Sequence, residues 1–551
     1  MLSGGTALQP SHATLQAALR AAAQGSLGLT FVDSQERETA LTYAELFARA
    51  QRAAGALAAR GVRRGDRVAI ILATGAPFMD AFFGALFAGA VPVPLYPPVR
   101  LGRLDEYHLR TAALLKACGA RVLISDARIS RLLGVATAAA RPDLGLVDAA
   151  SLLQGAPHEE EGAPEELALI QFSSGTTVEP KPVALTHTNV LSNIAAIDSF
   201  IPRDGTEAGV SWLPLYHDMG LIGCLLLAVA HPGNLTLLGP ETFLARPALW
   251  LRAIARKCAC ISPAPNFAYA LCAKRVRDEE LAGLDLSSWK LALNGAEPVA
   301  QQSLVRFCER FEKFGFDPRS LMPVYGLSEA SLAVTFTPRG RGAKTVQRGQ
   351  RALVSVGAPL PGVDVRIDQG RILVRGPSVM QGYFEKPEAT AQALQDGWLD
   401  TGDLGFIQDG ELFVNGRAKD LVILRGANRA PQEFEDALDG LDGVRAGCAA
   451  AVGREGPDGE ELVLLVERDG EPDAEAISAR VVERTGIKPA EVIVLEPGTL
   501  PRTSSGKLRR GEALRQLQSG ELRAPHKVSA LRLAGEAARS AAALLKLRLG
   551  L

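Results

Sequence analysis

The stretch Phe172-Ser-Ser-Gly-Thr-Thr-Val-Glu-Pro-Lys181 is the strongest local pointer to chemistry in this chain. Small hydroxylated side chains and Gly175 let backbone N–H groups come close to a polyanion, and Lys181 supplies a mobile cation for the same charge. The loop falls between a predicted strand and a predicted helix. It is not a Walker A loop, because G-x-x-x-x-G-K-[ST] is absent. By itself, a Ser/Thr/Gly/Pro stretch is also how an ordinary polar turn is written.

Further segments follow in order: Asn294-Gly-Ala-Glu-Pro298, Tyr325-Gly-Leu-Ser-Glu329, Asp400-Thr-Gly-Asp403, Gly416-Arg-Ala-Lys-Asp420 and Pro501-Arg-Thr-Ser-Ser-Gly-Lys507. Together with the loop they resemble the ANL superfamily of adenylate-forming enzymes, which includes acyl-CoA synthetases, peptide-synthetase adenylation domains and luciferases. The likeness runs roughly from Leu41 to Arg510. Within the superfamily, Trp212-Leu-Pro-Leu-Tyr-His-Asp-Met-Gly-Leu-Ile-Gly223, Ala264-Pro-Asn-Phe-Ala-Tyr269 and the run Asn428, Pro431, Gln432 look closest to fatty acyl-AMP ligases.

The resemblance implies ATP and Mg²⁺ as cofactors and gives each motif a role. Ser174, Gly175, Thr176, Thr177 and Lys181 would cradle the phosphates, with Thr176 and Glu329 near Mg²⁺, a hard cation that takes oxygen ligands. Tyr325 would stack on adenine, with Gly295, Ala296, Glu297, Gly326 and Ser328 around it. Asp403 would accept hydrogen bonds from the ribose hydroxyls, and Arg417 would hold the nucleotide from the small-domain side. The plain alternative for that pair is a surface ion pair. Lys507 would bridge the carboxylate and the α-phosphate, neutralising charge that grows in the in-line transition state. Lys419 and Asp420 match the hinge of the small domain. His217 falls beside the expected carboxylate, ahead of a tunnel that Met219, Gly220, Leu221 and Gly223 would line. His217-Asp218 also invites a hydrolytic reading, but there is no G-x-S-x-G elbow, and neighbouring side chains tend to point apart.

Two departures bear on the acyl acceptor. Val178-Glu179 and Pro182 stand where the wider superfamily has glycines, and the stretch between Glu329 and Ser355 looks shorter than in acyl-AMP ligases, whose insertion holds the small domain away from the CoA-competent pose. A carrier-protein phosphopantetheine is the expected acceptor and CoA the alternative, since Arg375 to Phe384 suits acyl-CoA synthetases equally. An amino-acid adenylation domain fits less well, because no F-D-x-S context accompanies Leu215 to Met219. A non-catalytic acyl- or nucleotide-binding protein is the competing class; intact Lys507, Asp403 and Glu329 speak against it.

The elements that must carry these residues read as an α/β fold. From about Arg67 to Leu360, strand candidates (68–72, 121–125, 167–172, 290–293) alternate with helix candidates (77–88, 188–199, 247–257, 300–314), predicting a mainly parallel sheet covered on both faces. Residues 363–374 and 411–414, around Asp-Gln-Gly and Asp-Gly, predict hairpins of a small β subdomain. A new α+β pattern begins near Leu421, with helices at 431–441 and 474–483 and strands near 462–466 and 491–495. The expected division is an adenylate-forming domain over 1–418, a mobile lid over 419–518 and a basic helical tail over 519–551.

At 551 residues the chain exceeds one ordinary core. Its 60 Lys plus Arg nearly balance 61 Asp plus Glu, leaving no overall basic field to hold nucleic acid. Seven scattered cysteines without C-x-x-C, and no secretory signal, predict a reduced, cytoplasmic protein. The most apolar run, 221–230, is about half the roughly 20 residues needed to span a bilayer and reads as a buried helix. The Ala/Leu-rich tail with Arg539, Lys546 and Arg548 reads as a surface helix or as a basic face making weak membrane contact. No carrier segment is recognisable, so the acceptor is expected from elsewhere.

Overall fold

The computed structural model describes residues 1–99, 101–173, 180–202, 208–348, 351–424, 426–456, 459–503, 506–526 and 528–549. A nine-stranded sheet forms the centre of a large N-terminal domain. Its middle is parallel: Leu321–Gly326, Leu291–Asn294, Ile261–Ala264, Gly209–Ser211, Leu235–Leu238 and Gly28–Val32 lie side by side. Antiparallel strands close both edges: Ala333–Phe336 and Ala358–Pro359 on one side, Glu38–Thr42 on the other. A second, wholly parallel sheet joins Val91–Pro94, Arg67–Ile71, Ala120–Ser125 and Leu146–Asp148.

The strand at Leu167–Phe172 departs from the parallel expectation. It pairs antiparallel with Pro182–Thr186, a strand missed in the sequence, and Gly382–Tyr383 adds to the latter. The element that follows the phosphate-loop segment is therefore the strand Pro182–Thr186, and a helix comes only after it. The helix His187–Asp198 begins directly after it, fixed by a capping box in which Thr186 and Asn189 satisfy each other's backbone N–H groups.

The expected hairpins form around both Asp-rich turns. Asp364–Asp368 pairs Arg371–Arg375, and Trp398–Gln408 pairs Glu411–Arg417, within one sheet that also takes in Leu2–Ser3. The C-terminal domain carries Gly443–Gly456, Gly459–Asp469 and Glu491–Leu495 as a separate three-stranded sheet. Its first strand was not visible as a strand because Gly-Val-Arg-Ala-Gly-Cys-Ala-Ala-Ala is poor in β-branched residues. The helix expected at 431–441 is shorter: Pro431–Glu435 is α-helical, and Asp436–Leu438 tightens to a 3₁₀ turn.

Aromatic packing steadies the strands that lead to the site. Trp250, Trp289, Tyr269 and Phe307 are fully buried against one another, with Trp250 and Trp289 centroids 5.2 Å apart. Trp250 donates from Nε1 to Ser262 Oγ (2.8 Å), and Tyr269 donates from its hydroxyl to Leu293 O (3.0 Å). This network pins two adjacent parallel strands near their carboxyl ends.

The apolar run at 221–230 is helical and buried as expected, but Leu221–Leu226 is a π-helix before Leu227–Ala230 returns to α. The tail forms the helix Ala530–Arg548, and it lies on the helix Ala127–Ala140 of the N-terminal domain. The approach is close: a Cβ on Gly134 would stand 2.0 Å from Ser540 O. Ser540 is buried in this contact, whereas Leu531 and Leu545 on the same helix stay exposed. No helix of the described residues is long and apolar enough to cross a membrane, and the seven cysteines are all unpaired with one another.

Candidate active site

The parallel strands deliver their carboxyl ends to one place, the crevice where open α/β sheets hold ligands. Pro265-Asn266 follows Ile261–Ala264, Gly295-Ala296-Glu297 follows Leu291–Asn294, and Tyr325 and Gly326 end Leu321–Gly326. Gly326 admits no side chain, since a Cβ there would lie 1.7 Å from Leu332 O. Ala296 is held at φ 68°, a left-handed conformation that non-glycine residues seldom adopt. The 3₁₀ turn Ser328–Ala330 then presents Ser328 and Glu329 to the same space.

That space is a cavity of about 530 Å³. Lys181, His217, Met219, Gly223, Ala296, Tyr325, Gly326, Ser328, Glu329, Arg417, Lys419 and Lys507 all reach it. It opens beside a far larger cleft of about 2360 Å³, which Glu297, Asp403 and Asp420 border together with Tyr325, Arg417 and Lys507. Ser174, Gly175, Thr176 and Thr177 lie outside the described residues. Gly295 packs against Val324 behind the wall.

Two of the expected tunnel residues are not on its wall. Leu221 is fully buried in the core, and Gly220 is pressed against the Pro214 carbonyl, where a Cβ would be 2.4 Å away. The other two, Met219 and Gly223, do line the cavity, and a Cβ on Gly223 would lie 2.7 Å from the Leu332 side chain. The apolar side of the cavity is completed by Ile197, Pro263, Leu293, Val324, Leu332 and Phe336, none of them singled out in the sequence.

The polar side is a set of mutual hydrogen bonds. Tyr325 donates its hydroxyl to Asp403 Oδ2 (2.7 Å), and Arg417 donates Nε to Asp403 Oδ1 (3.0 Å) across paired strands in which Asp403 faces Arg417. The ion pair weighed in the sequence is therefore present, but it is enclosed rather than superficial. Asp403 raises the pKa of Arg417 against the opposing effect of burial. Burial, reinforced by Asp403, raises that of Tyr325 well beyond its usual value.

His217 and Asp218 do not point apart. His217 Nδ1 and Asp218 Oδ1 are 2.6 Å from each other, and Ser328 donates its hydroxyl to Asp218 Oδ2 (2.5 Å). The short helix Asp218–Gly220 turns the backbone so that Met219 N also donates to Asp218 Oδ1 (2.7 Å). Burial alone would raise the Asp218 pKa. The His217 and Ser328 contacts and the nearby Lys507 outweigh it and hold the carboxyl down at about 2. Glu297 is shifted the other way, raised by burial although it accepts from Phe267 N (2.6 Å).

Glu329 accepts from the Tyr383 hydroxyl (3.0 Å), and the Lys181 ammonium stands 5.0 Å from the centroid of the Tyr383 ring. Tyr383 belongs to the Arg375–Phe384 segment, and the sequence offered no role for it. That segment is anchored to the site by Met380 N donating to Glu329 O (2.8 Å) and by Asn189 Nδ2 donating to Pro377 O and Val379 O.

Lys507 comes from the C-terminal domain. Arg502 fixes its loop by donating to Gly506 O and Gly447 O (both 2.7 Å), and Thr503 N donates to Lys507 O (2.8 Å). Burial first, and then Arg417, lower the Lys507 pKa; Asp218, Asp403 and Glu297 oppose them. Lys419 and Asp420 share the 3₁₀ turn Ala418–Asp420 that links the domains. Arg510 braces this turn from the C-terminal side, 3.4 Å from Asp420 and 2.6 Å from Glu435.

The family profile described as AMP-binding enzyme matches residues 19–384. The chain belongs to the AMP-binding enzyme family. The long-chain-fatty-acid–AMP ligase FadD26 of Mycobacterium marinum is 34% identical over 87% of this chain and 91% of its own length. A Caulobacter vibrioides protein provisionally named an acyl-CoA synthetase is 37% identical over 91% of this chain and 94% of its own length. A structure from studies of fatty acyl-adenylate ligases of E. coli and L. pneumophila superimposes with TM-score 0.87 at 34% identity, covering 93% of this chain and 98% of that one. The AMP-binding fold, with its large N-terminal domain and separate C-terminal domain, is thus the α/β class expected from the sequence, and enzymes of this family use ATP.

Proposed function

We propose that this AMP-binding enzyme activates a fatty acid with ATP to acyl-AMP, releasing pyrophosphate, and then passes the acyl group to the phosphopantetheine thiol of a carrier protein. One observation carries the reading: a lysine from the C-terminal domain, Lys507, enters the same cavity as Tyr325, Arg417 and Glu329, and that cavity has an apolar wall opposite them. In the first step a carboxylate oxygen attacks the α-phosphorus in line and pyrophosphate leaves; Lys507 neutralises the charge that accumulates there. In the second, the thiol sulfur attacks the acyl carbon and AMP departs.

The remaining roles follow the chemistry of each group. Asp403, held by Tyr325 and Arg417, presents a carboxylate for the ribose hydroxyls. Tyr325 and the Ala296–Glu297 backbone border the base, and His217 faces the substrate carboxylate. Glu329 offers a hard oxygen donor suited to Mg²⁺, which with the phosphate oxygens would lower the charge on the leaving group. Thr176 is its proposed companion, and the Ser174–Thr177 segment with Lys181 the phosphate cradle. Residues 1–418, 419–518 and 519–551 are the proposed functional divisions, with the hinge at Lys419-Asp420. The tail docks on the N-terminal domain through part of its surface and leaves Leu531 and Leu545 exposed, so weak membrane contact by that face stands as the proposal for it.

Support for a carrier protein comes from a relative and from a contact. The medium-chain-fatty-acid–[acyl-carrier-protein] ligase JamA of Moorena producens is 31% identical over 90% of this chain. The hairpin Thr345–Arg348/Arg351–Val354 lies between the domains, where Arg351 donates to Asn415 Oδ1 (3.1 Å) and stands 3.9 Å from Asp436. A contact of this kind, exposed on its Asp436 side, adds at most about 1 kcal/mol against rotation of the C-terminal domain. The provisional name of the Caulobacter relative favours CoA as the second reading. Acid-dependent pyrophosphate release over a fatty-acid panel, with products weighed after adding holo carrier protein or CoA separately, tests both. Transfer to carrier alone is expected; efficient CoA thioester formation would replace this acceptor by the other, and no release with any acid would sink the activity itself.

A further inference from the structure

Away from the active site, three helices meet where the tail docks: Leu104–Ala117, Ala127–Ala140 and Ala530–Arg548. Asp105 and His108, three residues apart, share one face of the first helix, and Glu536 approaches from the third. One ligand atom from each of the three lies within 4.8 Å of the other two. Donor atoms of a single first-row metal ion stand about 3–4 Å apart, so little contraction is needed.

The decisive side chain is His108, only 2% exposed. Its Nε2 lies 2.8 Å from Leu132 O, a carbonyl that can only accept, so Nε2 carries the proton and Nδ1 bears a lone pair. Nδ1 is buried and has no hydrogen-bond partner, and the same is true of Glu536 Oε2. Two buried lone pairs without a hydrogen bond, on His108 and Glu536, are gathered beside a second carboxylate, Asp105. An imidazole whose second nitrogen is fixed on a backbone carbonyl is also how metal-binding histidines are oriented.

We propose that Asp105, His108 and Glu536 form a divalent transition-metal site that staples the C-terminal helix to the N-terminal domain. One imidazole and two carboxylates suit Zn²⁺ and its neighbours rather than Ca²⁺. Arg539 performs part of the cation's task without metal: its Nη1 is 2.6 Å from Asp105 Oδ1 and 3.7 Å from Glu536 Oε2. Its side chain is half exposed, so it swings outward when the ion enters.

The test uses the untagged full chain without nucleotide, titrated with Zn²⁺, and with Co²⁺ for its ligand-field absorption. One equivalent should bind and slow tryptic cleavage in the tail. Glu536→Gln and His108→Asn should each weaken binding at least as much as loss of an outer-shell partner does, roughly 10–100-fold. Arg539→Ala, which removes the competing cation, should bind as tightly or more tightly. If His108→Asn fails to fold, Glu536→Gln and Arg539→Ala still decide the matter. No saturable binding, binding indifferent to Glu536→Gln, or tail protection that follows acidification but not metal would each overturn the proposal.

Discussion

The two halves of the active site are built on opposite principles. On the N-terminal side, Tyr325, Asp403 and Arg417 hold one another, as do His217, Asp218 and Ser328, and Glu329 with Tyr383. On the C-terminal side a single ammonium arrives on a loop whose own contacts, through Arg502, stay within the C-terminal domain. If Lys507 acts as proposed, the difference is a division of labour: the recognising groups are fixed by neighbours in their own domain, and the group that meets the growing charge is supplied by the other domain.

The largest expected effect tests the delivered half. Lys507→Ala should lower adenylation about 10²–10³-fold, the range for losing one preorganised transition-state donor, with little change in unfolding midpoint. Retained pyrophosphate release would break the comparison, because the lysine would then be a visitor without a task. Asp218→Asn tests the fixed half. Losing a charged acceptor for His217 and Ser328 should destabilise the N-terminal domain by about 1–3 kcal/mol and cut turnover roughly tenfold, about 1.4 kcal/mol of barrier. A variant with lost turnover and full stability would show that Asp218 is not structural to its half.

A pH experiment separates the halves without mutation. His187, buried at the start of its helix, accepts from Leu15 N (3.1 Å), and burial lowers its pKa to about 4. The unfolded chain takes up that proton near pH 6.5, so stability is full above that value and lost as pH falls towards 4. Between pH 7 and 5 this amounts to about 2 kcal/mol. Urea unfolding should show the N-terminal transition weakening over this window, and His187→Gln should flatten the slope. The smallest effect is expected for Tyr325→Phe, which removes one hydrogen bond to Asp403: about 1 kcal/mol of stability, read with a several-fold rise in KM for ATP. A change in kcat instead would move Tyr325 from recognition to chemistry.

Much of this was legible in the sequence, unevenly so. Motifs whose residues act through their own side chains, such as Tyr325, Asp403, Arg417 and Lys507, could be named because their types and order carry the resemblance. The cavity's apolar wall could not, because Ile197, Leu332 and Phe336 sit on separate elements and meet only through the sheet. Pro182–Thr186 was hidden as a strand by its proline and by the helix signals that follow it. The bond between His217 and Asp218 was misjudged because sequence adjacency predicts divergence only on a regular backbone, and here a one-turn helix begins between them. Tyr383 lay inside a quoted segment, but its hydroxyl becomes informative only once Glu329 stands opposite.

The π-helix at Leu221–Leu226 bears on how the cavity wall could be changed. A π turn holds one residue more than the α turn it interrupts. Deleting a single residue there would return the segment to α, withdraw Gly223 from the wall and present a different face to the acyl chain, while leaving every charged group of the site in place. On the proposed function, a one-residue deletion in this buried helix should therefore alter acyl-chain preference while leaving the adenylation chemistry in place.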